Sequence, residues 1–159
     1  MHVDWPRRLA EACAAAPSVE RLIQVSSLAA DTASPSRRLA SKAAGDDAVR
    51  AAFPGATIIR AGPQVGPEDR FFMDMAYWRY SNWGVPLIDG GYNRVQPVYV
   101  QDVAEAIWKT LSHEEAEGAV YELGGPETYT YALALCQPLS RDGIKQYAAS
   151  AIFRIALSK

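Results

Sequence analysis

The chain has 159 residues, 49% of them hydrophobic, and carries 16 Lys and Arg against 18 Asp and Glu for a formal net charge of -2. That is apolar material for a packed core in one domain of ordinary size, or in part of a larger one, and the small net charge excludes a broad phosphate-tracking surface for nucleic acid. Two isolated cysteines, Cys13 and Cys136, exclude a disulfide framework, and no apolar run approaches the roughly 20 residues that span a bilayer.

The opening Met1 to Pro6 has neither the apolar core of a signal peptide nor the Arg- and Ser-rich character of a transit peptide. Pro6 to Ala16 then reads as a helix, with Pro6 suited to the first turn and Pro17 to a stop. Val19 to Ser27 is a short apolar, β-branched run, expected to be a strand covered on both faces. Ser34 suits an N-cap and Pro35 position N1 of a second helix. Leu39, Ala43, Ala44, Ala48, Val49 and Ala52 recur at helical spacing up to Phe53-Pro54-Gly55. Ala56 to Ala61 is a second strand, and Gly62 to Pro67 is a loop of turn-formers.

A third helix is expected from Glu68 or Asp69 through Phe71, Phe72, Met75, Tyr77 and Trp78, ended by Asn82 and Gly84. Its aromatic face either packs or walls a cleft. Pro86 to Ile88 and Arg94 to Val100 read as short strands joined at the turn Asp89-Gly90-Gly91, and Gln101 or Asp102 caps a helix through Val103, Ala106, Ile107 and Leu111. Gly118 to Leu123 is a last strand, broken by Gly124-Gly125-Pro126. From Leu135 to Lys159, Ile144, Ala148, Ala151, Ile152 and Ile155 fall on one helical stripe, with Arg141, Lys145, Arg154 and Lys159 elsewhere. The alternation of strand and helix argues for an α/β domain with a parallel sheet over residues 1 to 134, followed by a divergent helical tail over 135 to 159.

The chemistry is mostly a matter of what is missing. No Gly-x-Gly-x-x-Gly follows a strand and no P-loop is present, so no segment cradles a pyrophosphate at a helix N-terminus. His2 and His113 stand apart from any Cys or Glu at ligand spacing, so no metal site is expected. Ser26 and Ser27 at a strand end either position a ligand or satisfy loop backbone groups. Asp102 is a helix cap rather than a catalytic acid.

Val25-Ser26-Ser27, a helix bearing Lys42, Ile58-Ile59-Arg60 leading to Val65-Gly66-Pro67, Pro97 to Ala104, and Tyr121 to Pro126 stand in the order and spacing of the extended short-chain dehydrogenase/reductases, which the chain resembles over positions 3 to 131. Within that superfamily, Ser36 to Pro54, Glu68 to Phe71 and Gln96 to Val100 are similar to the atypical, reductase-like accessory subunits of mitochondrial respiratory complex I. The resemblance is to the later part of the domain. Family members begin with a strand and a glycine-rich turn that have no counterpart here, so the fold implied is a partial Rossmann-like parallel sheet.

The resemblance implies NAD or NADP as cofactor, with Ser26, Lys42, Ala61, Gly62, Pro63 and Gln64 beside its nicotinamide end. It implies no catalytic residue. Active relatives carry Tyr-x-x-x-Lys, whose lysine, one turn on, lowers the phenol's pKa from about 10 for proton exchange. Arg38 stands in the tyrosine's place, and a guanidinium keeps its proton. Tyr77, Tyr80 and Tyr99 are the remaining phenols to consider. Arg38 and Lys42, like charges one turn apart, would be relieved by an anion such as a cofactor phosphate, a lipid phosphate or a partner carboxylate. The expectation is a non-catalytic accessory subunit, peripheral on the matrix side of the mitochondrial inner membrane, with other complex I subunits as partners. The tail makes either a docking contact or a membrane-surface contact. The alternative is a free-standing reductase or epimerase acting on a nucleotide sugar or another small carbonyl compound.

Overall fold

A computed structural model describes residues 1–67, 69–71, 73–74, 77, 87–136 and 152–155. The chain divides into two compact units. One comprises Met1–Ala61, Glu105–Glu122 and Phe153–Lys159, and the other Gly62–Ala104 and Leu123–Ile152.

The first unit is built on a strand–helix–strand motif. Helix α1 (Asp4–Ala15) leads to strand β1 (Ile23–Ser27), helix α2 (Arg37–Ala52) and strand β2 (Thr57–Ala61). β1 and β2 pair in parallel, in a register from Ile23 opposite Thr57 to Ser27 opposite Ala61. A parallel pair requires a crossover, which α2 supplies. The core beneath it joins Ala10 of α1, Val49 of α2, and Ala56 and Ile58, with Leu22, Phe53 and Val120 packed against them. Ala10 is the buried residue of α1, and the helix leaves Trp5 and Leu9 exposed.

Sequence and structure differ in several places. β1 begins at Ile23, because Val19 closes a turn onto the Ala16 carbonyl at 3.0 Å. It is not covered on both faces. It stands at the edge of a sheet ordered β1-β2-β6-β8, and Val25 is 41% exposed. The N-cap position of α2 is Ser36 rather than Ser34, and its side chain makes no capping bond. The Ser36 N–H donates to Ser34 Oγ at 3.3 Å, and the first helical bond runs from the Ala40 N–H to the Ser36 carbonyl at 2.9 Å. The Ser34 hydroxyl thus closes a local turn before the helix begins.

The second unit holds two small ladders. β3 (Gln64–Val65) pairs in parallel with β5 (Val98–Tyr99), and β4 (Arg94–Val95) pairs antiparallel with β7 (Tyr129–Thr130). The run expected as one strand from Arg94 to Val100 is split at Gln96-Pro97, where the proline has no N–H for a ladder. Helix α3 (Val100–Ser112) starts there, so Asp102 sits in its first turn, favourable against the helix dipole, and not at the cap. Asp89, Gly90 and Gly91 all take positive φ, as the expected tight turn demands. Val65, Ala134, Phe71, Val95, Tyr129 and Tyr131 form this unit's core, with the Phe71 and Tyr131 rings edge to face.

Strand β6 (Val120–Gly124) begins two residues after the expected Gly118 and ends one after Leu123, and a short helix α4 (Tyr131–Cys136) crosses from Ala134 into the tail. Ile152–Ile155 form strand β8, next to β6 in the sheet, where a helical stripe was expected. Of the third helix, Arg70, Phe71, Met73, Asp74 and Tyr77 are helical. Glu68, Phe72, Met75, Trp78, Tyr80, Asn82, Gly84 and Pro86 lie outside the described residues, as do Arg141, Ile144, Lys145, Ala148, Ala151 and Lys159 in the tail.

Candidate functional site

In a parallel strand–helix–strand unit the helix runs back over the sheet, so the first turns of α2 lie toward the carboxyl ends of β1 and β2, where open α/β sheets bind ligands. Arg38 and Lys42 both fall in these turns, one turn apart on one face. Arg38 is exposed and Lys42 half-buried, and neither makes an ion pair among the described residues.

One turn further along, Asp46 is 1% exposed, and its Oδ2 accepts from Arg60 Nε at 3.1 Å. This bond shows which face of β2 looks at α2: the face of Ile58 and Arg60. Ser26 is opposite Arg60 in the register, so its side chain lies on that same face. Ser26 is 7% exposed, and its Oγ and Asp46 Oδ1 are both buried without a hydrogen-bond partner. These two oxygens are buried polar capacity without a hydrogen-bond partner among the described residues.

The strand end is held tightly. The Leu28 N–H donates to the Ala61 carbonyl at 2.8 Å and the Ala30 N–H to the Ser27 carbonyl at 3.0 Å, which forces Ala29 to φ 64°. A left-handed alanine costs roughly 1 to 2 kcal/mol and persists only where surrounding bonds impose it.

In the second unit, the backbone of Gly62 to Gln64 is hydrogen-bonded at each residue or its neighbour in the ladder. The Gly62 N–H donates to the Leu123 carbonyl at 2.8 Å, the Val98 N–H to the Pro63 carbonyl at 2.9 Å, and Gln64 pairs with Val98. Gly62 is required, since a Cβ would strike the Gln96 carbonyl oxygen. A cavity of about 300 Å³ opens between Gln64 to Pro67, Arg70 and Val100. The six expected cofactor residues therefore divide three and three: Ser26, Lys42 and Ala61 in one unit, Gly62, Pro63 and Gln64 in the other.

The first unit thus offers a buried hydroxyl at Ser26 and a half-buried ammonium at Lys42, and the second a hydrogen-bonded backbone run at Gly62 to Gln64. None of them forms a pyrophosphate cradle. Sequence reasoning missed Asp46 and Arg60. The signal was an acidic residue four positions beyond Lys42, inside an otherwise small and apolar helical stripe. Among the described residues no group of His, Cys, Asp or Glu could hold a metal ion, and no helix is long and apolar enough to cross a membrane.

No family model matches the chain. It is 45% identical over 113 residues to the mitochondrial NADH dehydrogenase [ubiquinone] 1 alpha subcomplex subunit 9 of Arabidopsis thaliana, covering 70% of this chain and 28% of that protein. To the subunit of the same name from Rattus norvegicus it is 41% identical over 128 residues, covering 80% of this chain and 33% of that protein. The chain thus spans about a third of the length of the curated relatives it matches. Among solved structures, MoeE5 in complex with UDP-glucose and NAD superposes with a TM-score of 0.71 at 22% identity, covering 86% of this chain and 52% of that one. The likeness in structure is one of fold, the Rossmann-type α/β arrangement with a parallel sheet.

Proposed function

Since the chain is related over most of its length to the alpha subcomplex subunit 9 proteins of mitochondrial complex I, we propose that it forms part of a non-catalytic accessory subunit of that complex. It is a mitochondrial protein by this relationship, and its partners are other complex I subunits. It sits peripherally on the matrix side of the inner membrane, and the tail beyond Leu135 contacts a neighbouring subunit or the membrane surface. A dinucleotide, NAD or NADP, serves as a structural element rather than a turned-over substrate.

The observation that carries this reading is Arg38. Both Arg38 and Lys42 lie in the opening turns of α2, so the arginine occupies the helical position from which a tyrosine would exchange a proton with a substrate. A guanidinium has no proton to give at neutral pH, and general acid–base chemistry from this position is lost. What Lys42 and the buried Ser26 hydroxyl retain is the capacity to bind. When bound, the dinucleotide would bring hydride chemistry. Within the first unit Ser26 and Lys42 would contact a ribose. Within the second, Gly62, Pro63 and Gln64 would contact a nicotinamide.

Tagged protein expressed in its own cells should co-migrate with NADH dehydrogenase activity on native gels of mitochondrial extracts, and the purified protein should not oxidise NADH or NADPH with small carbonyl compounds. Migration as a free protein together with nicotinamide turnover would overturn the reading in favour of a free-standing reductase.

A further inference from the structure

We propose that Gln96 is the positioning residue that holds the Gly62–Gln64 segment in place for a nucleotide. The proposal rests on the nucleotide-binding reading above. Gln96 and Pro97 fall between β4, which ends at Val95, and β5, which begins at Val98, so neither ladder holds this peptide. Pro97 has no N–H with which to make a replacement bond. Yet this is the peptide on which Gly62 rests, its Cα against the Gln96 carbonyl oxygen with no room for a Cβ.

The Gln96 side chain supplies the missing link. Its Nε2 donates to the Gly125 carbonyl at 2.6 Å, and the amide lies across Gly124 so closely that a Cβ there would meet Gln96 Cδ at 2.5 Å. A Cβ on Gly125 would likewise strike the Pro97 carbonyl oxygen. One residue thereby joins three strand ends: its side chain fastens the Gly124-Gly125 break to the Gln96-Pro97 peptide, and its backbone carbonyl carries the Gly62 run. The Gly62 N–H bond to Leu123 and the Val98 N–H bond to Pro63 close the same triangle. Pairs of glycines that admit a side-chain amide in this way leave the backbone fixed without placing bulk where a ligand approaches, and such supporting bonds govern how accurately a binding segment is held.

The test titrates the protein with NADH and NADPH by fluorescence and records melting temperature in parallel, for the unsubstituted chain, Gln96→Met and Ala134→Gly. Gln96→Met keeps the volume and removes the donor. Ala134→Gly loosens the buried core of the same unit without touching the segment. Gln96→Met should weaken nucleotide binding about tenfold, the order of loss seen when a supporting shell is removed, while Ala134→Gly lowers the melting temperature and leaves affinity unchanged. Equal affinity for both variants and the unsubstituted chain, or equal weakening in both, overturns the positioning role and leaves the nucleotide reading standing. Absence of NADH and NADPH binding by the unsubstituted chain overturns that reading and the positioning role with it. Should Gln96→Met not fold, Gln96→Asn, whose amide is one methylene too short to reach Gly125, is read in the same way.

Discussion

At the scale of single residues, the tension in this chain lies between Asp46 and Arg60. The carboxylate is buried and one of its oxygens has no partner, so its charge is balanced by one guanidinium bond at 3.1 Å, from a side chain that is itself 22% exposed. Removing one member of a buried pair leaves the other charge uncompensated, at about 3 to 5 kcal/mol, and the partial exposure of Arg60 places this pair at or below the lower end. Asp46→Asn should therefore lower unfolding free energy by about 2 to 3 kcal/mol in urea titration. The double variant Asp46→Leu with Arg60→Met should lose less than Asp46→Asn alone. A double variant worse than the single one would show that the pair is net stabilising and not merely tolerated. Arg60 was legible as the end of an apolar strand. Its partner was not, because helical spacing places Asp46 on a face without saying what that face meets.

At the scale of elements, α2 was the most legible part, since small residues at helical spacing have few alternatives, and its cap was the least. Ser34, Ser36 and Asp31 are all competent caps by composition. The N-cap position fell to Ser36, without a side-chain capping bond, while the Ser34 hydroxyl accepts from the Ser36 N–H and Asp31 Oδ1 from the Ala33 N–H at 2.9 Å. Within α2, Gly45 sits in the helix interior, where alanine ordinarily gains about 0.5 to 1 kcal/mol. Here a Cβ would run into the His2 carbonyl, because the chain entering α1 crosses the helix at that residue. Gly45→Ala should lower the melting temperature instead of raising it, and a rise would mean that the entry to α1 shifts aside at no cost. β8 is the contrary case. Ile152 and Ile155 are as compatible with a helical stripe as with a short strand, and pairing beside β6 selected the strand.

At the scale of the molecule, each unit closes its own core and still leaves large apolar side chains outside it. Trp5 on α1 is 68% exposed and Trp108 on α3 is 71% exposed, with Leu9 and Leu111 one turn from them. Neither tryptophan belongs to a core, so Trp5→Ala and Trp108→Ala should each change unfolding free energy by no more than about 0.5 kcal/mol, against the 3 to 5 kcal/mol of a buried tryptophan. A loss above about 2 kcal/mol for either in chemical denaturation would show it packed after all. Exposed apolar surfaces of this kind are ones on which another chain or domain can pack.

Composition and spacing alone determined the α/β class, the second helix and the turn at Asp89 to Gly91, because each follows from local periodicity or turn chemistry. Tertiary structure alone decided that β1 is an edge with Val25 exposed, that Asp46 faces Arg60 beneath Lys42, and that Gln96 fastens Gly125. These depend on which distant backbone lies alongside, and such a pairing is settled by burial and hydrogen-bond satisfaction across the fold rather than by any run of neighbours in sequence.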